Sequence, residues 1–184
     1  MSTRSQTEFI ALREGQVRCD KRTIYRHSDG YPSAMLPDLL TFIRWNQGRM
    51  DNVEYAAANW IFWNKRRMED ALLNPDWELL KRRTNLKWDD KEVEKDCNNV
   101  LKLGFGVCNN YEFHRDIEYL YRVICDVTRL RIEVYAVVNT SYDEPITEYN
   151  FRLLGRLPVP DDLSDENISR VSQEFVATIR DGDE

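Results

Sequence analysis

Apolar and polar residues alternate in two separate parts of the chain, one near its beginning and one after its middle. Alternation with a period of two is typical of β-strands that have one buried face. Clusters of Gly, Pro, Asp and Ser bound these stretches, as turns require. The predicted strands cover residues 7–13, 16–19, 22–27, 104–107, 116–127, 131–138 and 149–157.

Between and after these strands, apolar residues recur at the spacing of amphipathic helices. A first helix is predicted around Pro37 and ends at Gly48, and a second is capped by Asp51 and runs to about Met68. Further capping residues predict short helices after Asp76 and Asp89 and a final helix that Ser164 opens.

The order strands, helices, strands, helix predicts an α+β fold. We expect one mainly antiparallel sheet, built from the N-terminal and C-terminal strands together, because neither half alone has enough strands for a stable sheet. The helical block at about 33–103 would form an insertion or a layer on this sheet. The whole chain, 1–184, is expected to be a single domain.

Composition and charge narrow the class of protein. The net charge is −6, from 26 basic and 32 acidic residues, which argues against non-specific nucleic-acid binding. No stretch is apolar enough to span a membrane, and the first residues do not resemble a signal peptide. We therefore expect a cytoplasmic protein whose four cysteines are reduced thiols.

The chain contains only two histidines, and both open the same local pattern, with an aspartate two residues later. These are His27 with Asp29, at a predicted strand end, and His114 with Asp116, at a predicted strand start. If the two segments are neighbours, two imidazoles and two carboxylates could bind a divalent metal or act as acid and base. Alternatively, both segments are surface turns, and Asp29 only stabilises its own turn.

Basic and aromatic residues beside the histidines suggest an anionic ligand. Arg26 and Arg115 could hold a phosphate through charge-assisted hydrogen bonds, and Tyr31 could stack on a base. Tyr119 and Tyr121 could also stack, although strand alternation by itself predicts that they belong to the core. Common motifs of nucleotide hydrolysis and hydride transfer do not occur in the chain.

Three segments carry a resemblance to a known group of proteins: Ser2-Thr3-Arg4-Ser5, Tyr25-Arg26-His27-Ser28-Asp29-Gly30-Tyr31-Pro32 and His114-Arg115-Asp116-Ile117-Glu118-Tyr119-Leu120-Tyr121. Together they resemble a family of small uncharacterised proteins of bacteriophages and other prokaryotic viruses. That family often has Trp where this chain has Ser28, and Gly where it has Arg115. The resemblance implies a viral accessory protein, for example one active in counter-defence inside a host cell.

We therefore expect a protein that binds a small anionic molecule, such as a nucleotide signal, and does not catalyse a reaction. The alternatives are a small metal-dependent hydrolase or phosphodiesterase and a protein–protein inhibitor of a host factor. The binding protein needs no cofactor, whereas the hydrolase needs a divalent metal, and either could be a homo-oligomer. The predicted ligand-binding residues are Arg4, Arg26, His27, Asp29, Tyr31, His114, Arg115 and Asp116.

Overall fold

The computed structural model describes residues 3–12, 20–73, 104–109, 112–126, 129–138 and 144–181, without the side chains of 68–73 and 180–181. Six strands form one sheet in the order β3-β2-β1-β4-β5-β6. They are β1 Ser5–Ala11, β2 Asp20–Arg26, β3 Phe105–Cys108, β4 Tyr119–Asp126, β5 Arg129–Val137 and β6 Phe151–Pro158.

The pairing of β1 with β4 joins the two halves of the chain into one sheet. This pair is parallel, whereas the other four pairs of neighbouring strands are antiparallel. The predicted α+β class and the mostly antiparallel sheet are confirmed. The predicted strand at 16–19 lies outside the described residues.

Three helices are present in the described part of the chain: α1 Pro32–Trp45, α2 Val53–Leu73 and α3 Asp165–Asp181. The predicted C-terminal helix is confirmed, while the predicted helices after Asp76 and Asp89 lie outside the described residues. No helix of the described ranges is long and apolar enough to cross a membrane.

Two predicted helix starts differ from the structure. Helix α1 begins at Pro32 and not near Pro37, which lies inside it. Proline at the first helical position costs no hydrogen bond, because that N–H has no partner within the helix. Helix α2 is capped by Asn52 and not by Asp51, since Oδ1 of Asn52 accepts hydrogen bonds from the backbone N–H groups of Glu54 and Tyr55 at 3.2 Å.

The main hydrophobic core lies between one face of the sheet and the helices. Phe9 of β1 meets Phe42 of α1 and Trp60 of α2 edge to face, with ring centroids 5.9 and 6.5 Å away. Tyr121 and Val123 of β4 are buried in the same core. The alternation therefore predicted correctly that the odd-numbered residues of β4 face the core, and Tyr121 is a core residue.

The opposite face of the sheet is mixed: it carries a line of ion pairs, and Leu120 and Ile124 of β4 are also buried there. Glu8 is buried at the centre of β1, and its carboxylate meets Lys21 Nζ at 2.8 Å and Arg122 Nε at 2.7 Å. Arg122 also bonds to Glu148 at 2.6 Å. A buried carboxylate needs such partners, because its desolvation is otherwise costly.

A second buried carboxylate, Glu133 of β5, has three donors. The hydroxyl of Tyr135 lies 2.6 Å away, and Nε of Arg131 and of Arg156 each lie 3.2 Å away. Burial alone would raise the pKa of Glu133, but these hydrogen bonds outweigh it and hold the pKa below its usual value. The ionised form of Glu133 therefore stabilises the sheet.

Cys108 and Cys125 are free thiols. Cys19 and Cys97 lie outside the described residues, so the reduced state of all four cysteines stays a prediction. Thiol titration of the unfolded, non-reduced protein should count four; a count of two or zero would contradict it.

Candidate functional site

Three segments of the chain meet at the edge of the sheet where β1 and β4 begin and β2 ends. They are residues 3–5, 27–31 and 114–121, which lie within the segments quoted for the resemblance. The backbone N–H of Gly30 donates to the carbonyl of Thr3 at 3.0 Å, and the N–H of Glu118 donates to the carbonyl of Arg4 at 2.9 Å. The N-terminal segment thus lies between the other two.

Gly30 makes this contact possible. A Cβ at this position would lie 2.8 Å from the carbonyl carbon of Arg4 and 2.9 Å from the backbone nitrogen of Ser5. The buried hydroxyl of Tyr121 donates to the carbonyl of Gly30 at 2.7 Å, and this hydrogen bond holds the turn against the core. The preceding residue, Asp29, is exposed and has φ 53°, in the left-handed region that aspartate tolerates better than most residues.

Both histidines of the chain lie around Tyr25, on the face of the sheet that carries the ion pairs. We call Arg4, Tyr25, His27, His114 and Asp116 the two-histidine cluster. The ring of His114 stacks on that of Tyr25, with centroids 4.3 Å apart and an angle of 28° between the planes. The hydroxyl of Tyr25 lies 3.2 Å from Nδ1 of His27 and 3.4 Å from Oδ2 of Asp116.

Asp116 is the acceptor at the centre of this cluster. Its Oδ1 lies 2.8 Å from Nδ1 of His114, and its Oδ2 lies 3.2 Å from Nε of Arg4. The Asp116 side chain is 23% exposed and that of His114 is 54% exposed, so the cluster can be reached from solvent. Because Nδ1 of His114 is engaged by Asp116, Nε2 is the ring nitrogen that can meet a ligand.

Burial and the neighbouring Asp116 carboxylate raise the pKa of Tyr25 to about 12. Its phenol therefore keeps its proton at neutral pH and acts as a hydrogen-bond donor or acceptor, not as a charge. Nearby Cys108, on β3, has a pKa raised by burial, so it is a neutral thiol.

The backbone on both sides of the cluster is held by specific hydrogen bonds. The N–H of His27 donates to the carbonyl of Gly104 at 2.8 Å. The backbone N–H of His114 donates at 3.0 Å to the side-chain amide oxygen Oε1 of Gln6, which projects from β1. Gln6 is fully buried, so this contact anchors the segment of His114 to the sheet.

The predicted site residues are partly brought together and partly separated. The two His-x-Asp segments lie side by side, with His27, His114 and Asp116 in one cluster, and Arg4 joins them. Arg115 is exposed at the next position along the chain from His114. Their role in binding a ligand stays a prediction.

Arg26 lies on the opposite face of the sheet from the histidines. It is buried, and its guanidinium pairs with Asp38 of α1 at 2.9 Å and donates to the carbonyl of Ser28 at 2.7 Å. Tyr31 also lies apart, beside a cavity of about 270 Å³ that Tyr119 and Val176 help to line. These contacts give Arg26 a structural function between the sheet and α1.

Strand alternation contained the signal for this separation. Tyr25 and His27 are two residues apart, whereas Arg26 lies between them, so a strand directs Arg26 to the other face. The anchoring role of Gln6 had no such signal, because its partner His114 is 108 residues away along the chain.

The cluster offers hydrogen-bond donors from three side chains. In the described ranges, no group of three or more His, Cys, Asp or Glu side chains is placed to hold a metal ion. The two imidazoles and the guanidinium of Arg4 are all groups that donate hydrogen bonds to oxyanions when protonated.

Comparison of the chain with protein-family models, with curated proteins and with solved structures finds no match.

Proposed function

We propose that this protein binds a small anionic molecule, such as a nucleotide, at the two-histidine cluster and does not transform it. The observation that carries the proposal is the convergence of Arg4, His27 and His114 around one tyrosine, at an edge of the sheet open to solvent. Arginine and protonated histidine form strong, charge-assisted hydrogen bonds with phosphate.

The arrangement of the cluster favours binding over simple surface charge. The sheet fixes Tyr25, and backbone hydrogen bonds fix the positions of His27 and His114. Side chains that are held in place before a ligand arrives lose less conformational freedom when it binds. Arg115, exposed beside His114, adds a further cation at the rim. A viral accessory protein that sequesters a host nucleotide signal would use such a site.

The first experiment identifies the ligand. Small molecules released from the purified, heat-denatured protein are measured by mass spectrometry. We expect a phosphate-containing compound in stoichiometric amount, and its absence from a His27→Ala preparation made in the same way.

The second experiment tests the residues with inorganic phosphate as the probe. His27→Ala and Arg115→Ala should each weaken binding roughly tenfold to a hundredfold, because each removes a charged hydrogen bond. Arg129→Ala is the matched control for charge, since Arg129 begins β5 at the opposite end of the sheet. Unchanged binding in both cluster variants would contradict the proposal.

One contact favours a hydrolase as the second candidate. The 2.8 Å distance between Nδ1 of His114 and Oδ1 of Asp116 is the geometry that orients an imidazole as a general base through Nε2. Turnover of a phosphate ester that depends on a divalent metal, and that His114→Ala abolishes, would support the hydrolase. Stable retention of the intact ligand with the metal present supports binding.

A further inference from the structure

Three large aromatic side chains are exposed on one surface of helices α1 and α2. Trp45, the last residue of α1, is 53% exposed, and Tyr55 and Phe62 of α2 are 53% and 54% exposed. Tyr55 and Phe62 are seven residues apart, so they lie on the same face of the helix. The ring of Trp45 stacks on that of Phe62, with centroids 6.5 Å apart and an angle of 25° between the planes.

An arginine extends this surface. The guanidinium of Arg49 lies 4.9 Å from the centroid of the Tyr55 ring, in a cation–π contact. We call Trp45, Arg49, Tyr55 and Phe62 the aromatic patch. Single exposed apolar side chains are common on protein surfaces, whereas contiguous ones mark interaction sites. Trp, Tyr and Arg are also the residue types that contribute most of the binding energy at protein interfaces.

The segment that contains the aromatic patch is basic, although the whole chain has a net charge of −6. Residues 44–67 contain five basic side chains and two acidic ones: Arg44, Arg49, Lys65, Arg66 and Arg67 against Asp51 and Glu54. Arg44 and Arg67 have carboxylate partners within the protein. Among the described residues, no carboxylate pairs with Arg49, which contacts the Tyr55 ring instead. Arg49 is therefore a cation that a carboxylate of another molecule could pair with.

We propose that the aromatic patch docks an acidic segment of another protein, whose apolar side chains cover the rings and whose carboxylates meet Arg49. The patch lies on the helices, whereas the two-histidine cluster lies on the opposite face of the sheet, so this inference is independent of the proposed function. A second copy of the chain fits less well, because it would place one basic surface against another. Nucleic acid is disfavoured by the net charge of −6.

The test selects peptides from a random library against the full wild-type chain. The double variant Tyr55→Ser with Phe62→Ser removes two rings of the patch, and Arg49→Glu reverses its charge. Tyr149→Ser is the matched control for an exposed ring, since Tyr149 is 97% exposed and precedes β6. Arg170→Glu on α3 is the matched control for charge, because Arg170 is also exposed. Urea denaturation checks that each variant folds.

We expect the selected peptides to be rich in Asp and Glu and to contain Leu, Phe or Trp. Synthetic copies should bind the double variant and Arg49→Glu at least about tenfold more weakly than the wild-type chain, because residues of these types dominate interface energies. Tyr149→Ser and Arg170→Glu should bind them as the wild-type chain does. Binding should also weaken as salt is added, since Arg49 is exposed and its ion pairs are screened.

Several results would overturn the proposal. One is a selection that yields no peptide for the wild-type chain, or peptides that are not acidic, or peptides that bind the double variant equally well. Self-association of the wild-type chain in sedimentation, lost in the double variant, would assign the patch to a second copy. Binding of oligothymidylate that the double variant loses would assign it to nucleic acid. None of these results bears on phosphate binding by the two histidines.

Discussion

Gly30→Ala tests whether the three segments at the edge of the sheet depend on close backbone contact. The added Cβ would lie 2.8 Å from the carbonyl carbon of Arg4 and 2.9 Å from the nitrogen and Cβ of Ser5. Two of these atoms belong to the backbone, so no change of rotamer can relieve the contact. The segment of Arg4 and Ser5 or the turn of Gly30 must move.

The expected loss of stability has two parts and one offset. Overpacking in a tightly packed place costs about 1–3 kcal/mol. Movement of the turn also weakens the hydrogen bonds from Gly30 to Thr3 and from Tyr121 to Gly30, each worth about 1 kcal/mol. Replacing glycine by alanine also stabilises the folded state by about 0.4–1 kcal/mol, because it reduces the conformational entropy of the unfolded chain. The net expectation is a loss of about 2–4 kcal/mol in the free energy of unfolding.

Urea denaturation followed by tryptophan fluorescence measures this loss. Gly48→Ala is the matched control, because a Cβ there meets nothing within 4 Å. We expect Gly48→Ala to change the free energy of unfolding by less than about 1 kcal/mol. The reasoning is refuted if the two variants are equally stable, or if Gly30→Ala is as stable as the wild-type protein.

Three further substitutions test the ionisable groups. Glu133→Gln should destabilise the protein more at pH 7 than at pH 3. The pKa of Glu133 is lower in the folded than in the unfolded protein, so its carboxylate stabilises the fold above the unfolded pKa, and this stabilisation is lost as the pH falls through the folded pKa. Urea denaturation midpoints at both pH values measure the difference. Tyr25→Phe should leave the phenolate absorbance between pH 9 and 11 unchanged, since the pKa of Tyr25 is about 12. Asp38→Ala should lower the free energy of unfolding by about 3 kcal/mol, because it leaves the buried Arg26 without its carboxylate partner. Asp165 is exposed, so the control Asp165→Ala should lower it by less than about 1 kcal/mol in the same urea assay.

Each of these results can turn out differently. An equal loss for Glu133→Gln at both pH values would mean that the ionised carboxylate does not stabilise the fold. A phenolate signal that disappears with Tyr25 below pH 11 would contradict the raised pKa. Equal effects of Asp38→Ala and Asp165→Ala would mean that burial does not distinguish the two ion pairs.

The sequence predicted the class of the fold well because its strands and helices are locally marked. Period-two alternation identified β4 and the face on which Tyr121 is buried, and Ser164 preceded the C-terminal helix. Helix starts were predicted less well. Pro37 and Asp51 both satisfy the usual rules for a helix start, but in the structure Pro32 begins α1 and Asn52 caps α2. The choice between neighbouring capping residues depends on packing, which the local sequence does not contain.

The adjacency of the two His-x-Asp segments was also predictable, because both lie at strand ends and the sheet requires both halves of the chain. The finer arrangement depends on the parallel pairing of β1 with β4, in which Gln6 aligns with Leu120. No local pattern specifies that register. The antiparallel pairing of β2 with β1 places Tyr25 beside the histidines, whereas strand alternation directs Arg26 to the other face, against Asp38.

The most direct test of the central claim is an NMR titration of the histidine side chains with inorganic phosphate. The chain has only two histidines, and both belong to the cluster, so in untagged protein each imidazole signal reports on the proposed site. At constant pH and ionic strength, we predict that the signals of His27 and His114 shift together and saturate with one dissociation constant. Signals that do not move, or that shift without saturation and by the same amount when chloride replaces phosphate, would contradict the claim that these histidines form one anion-binding site.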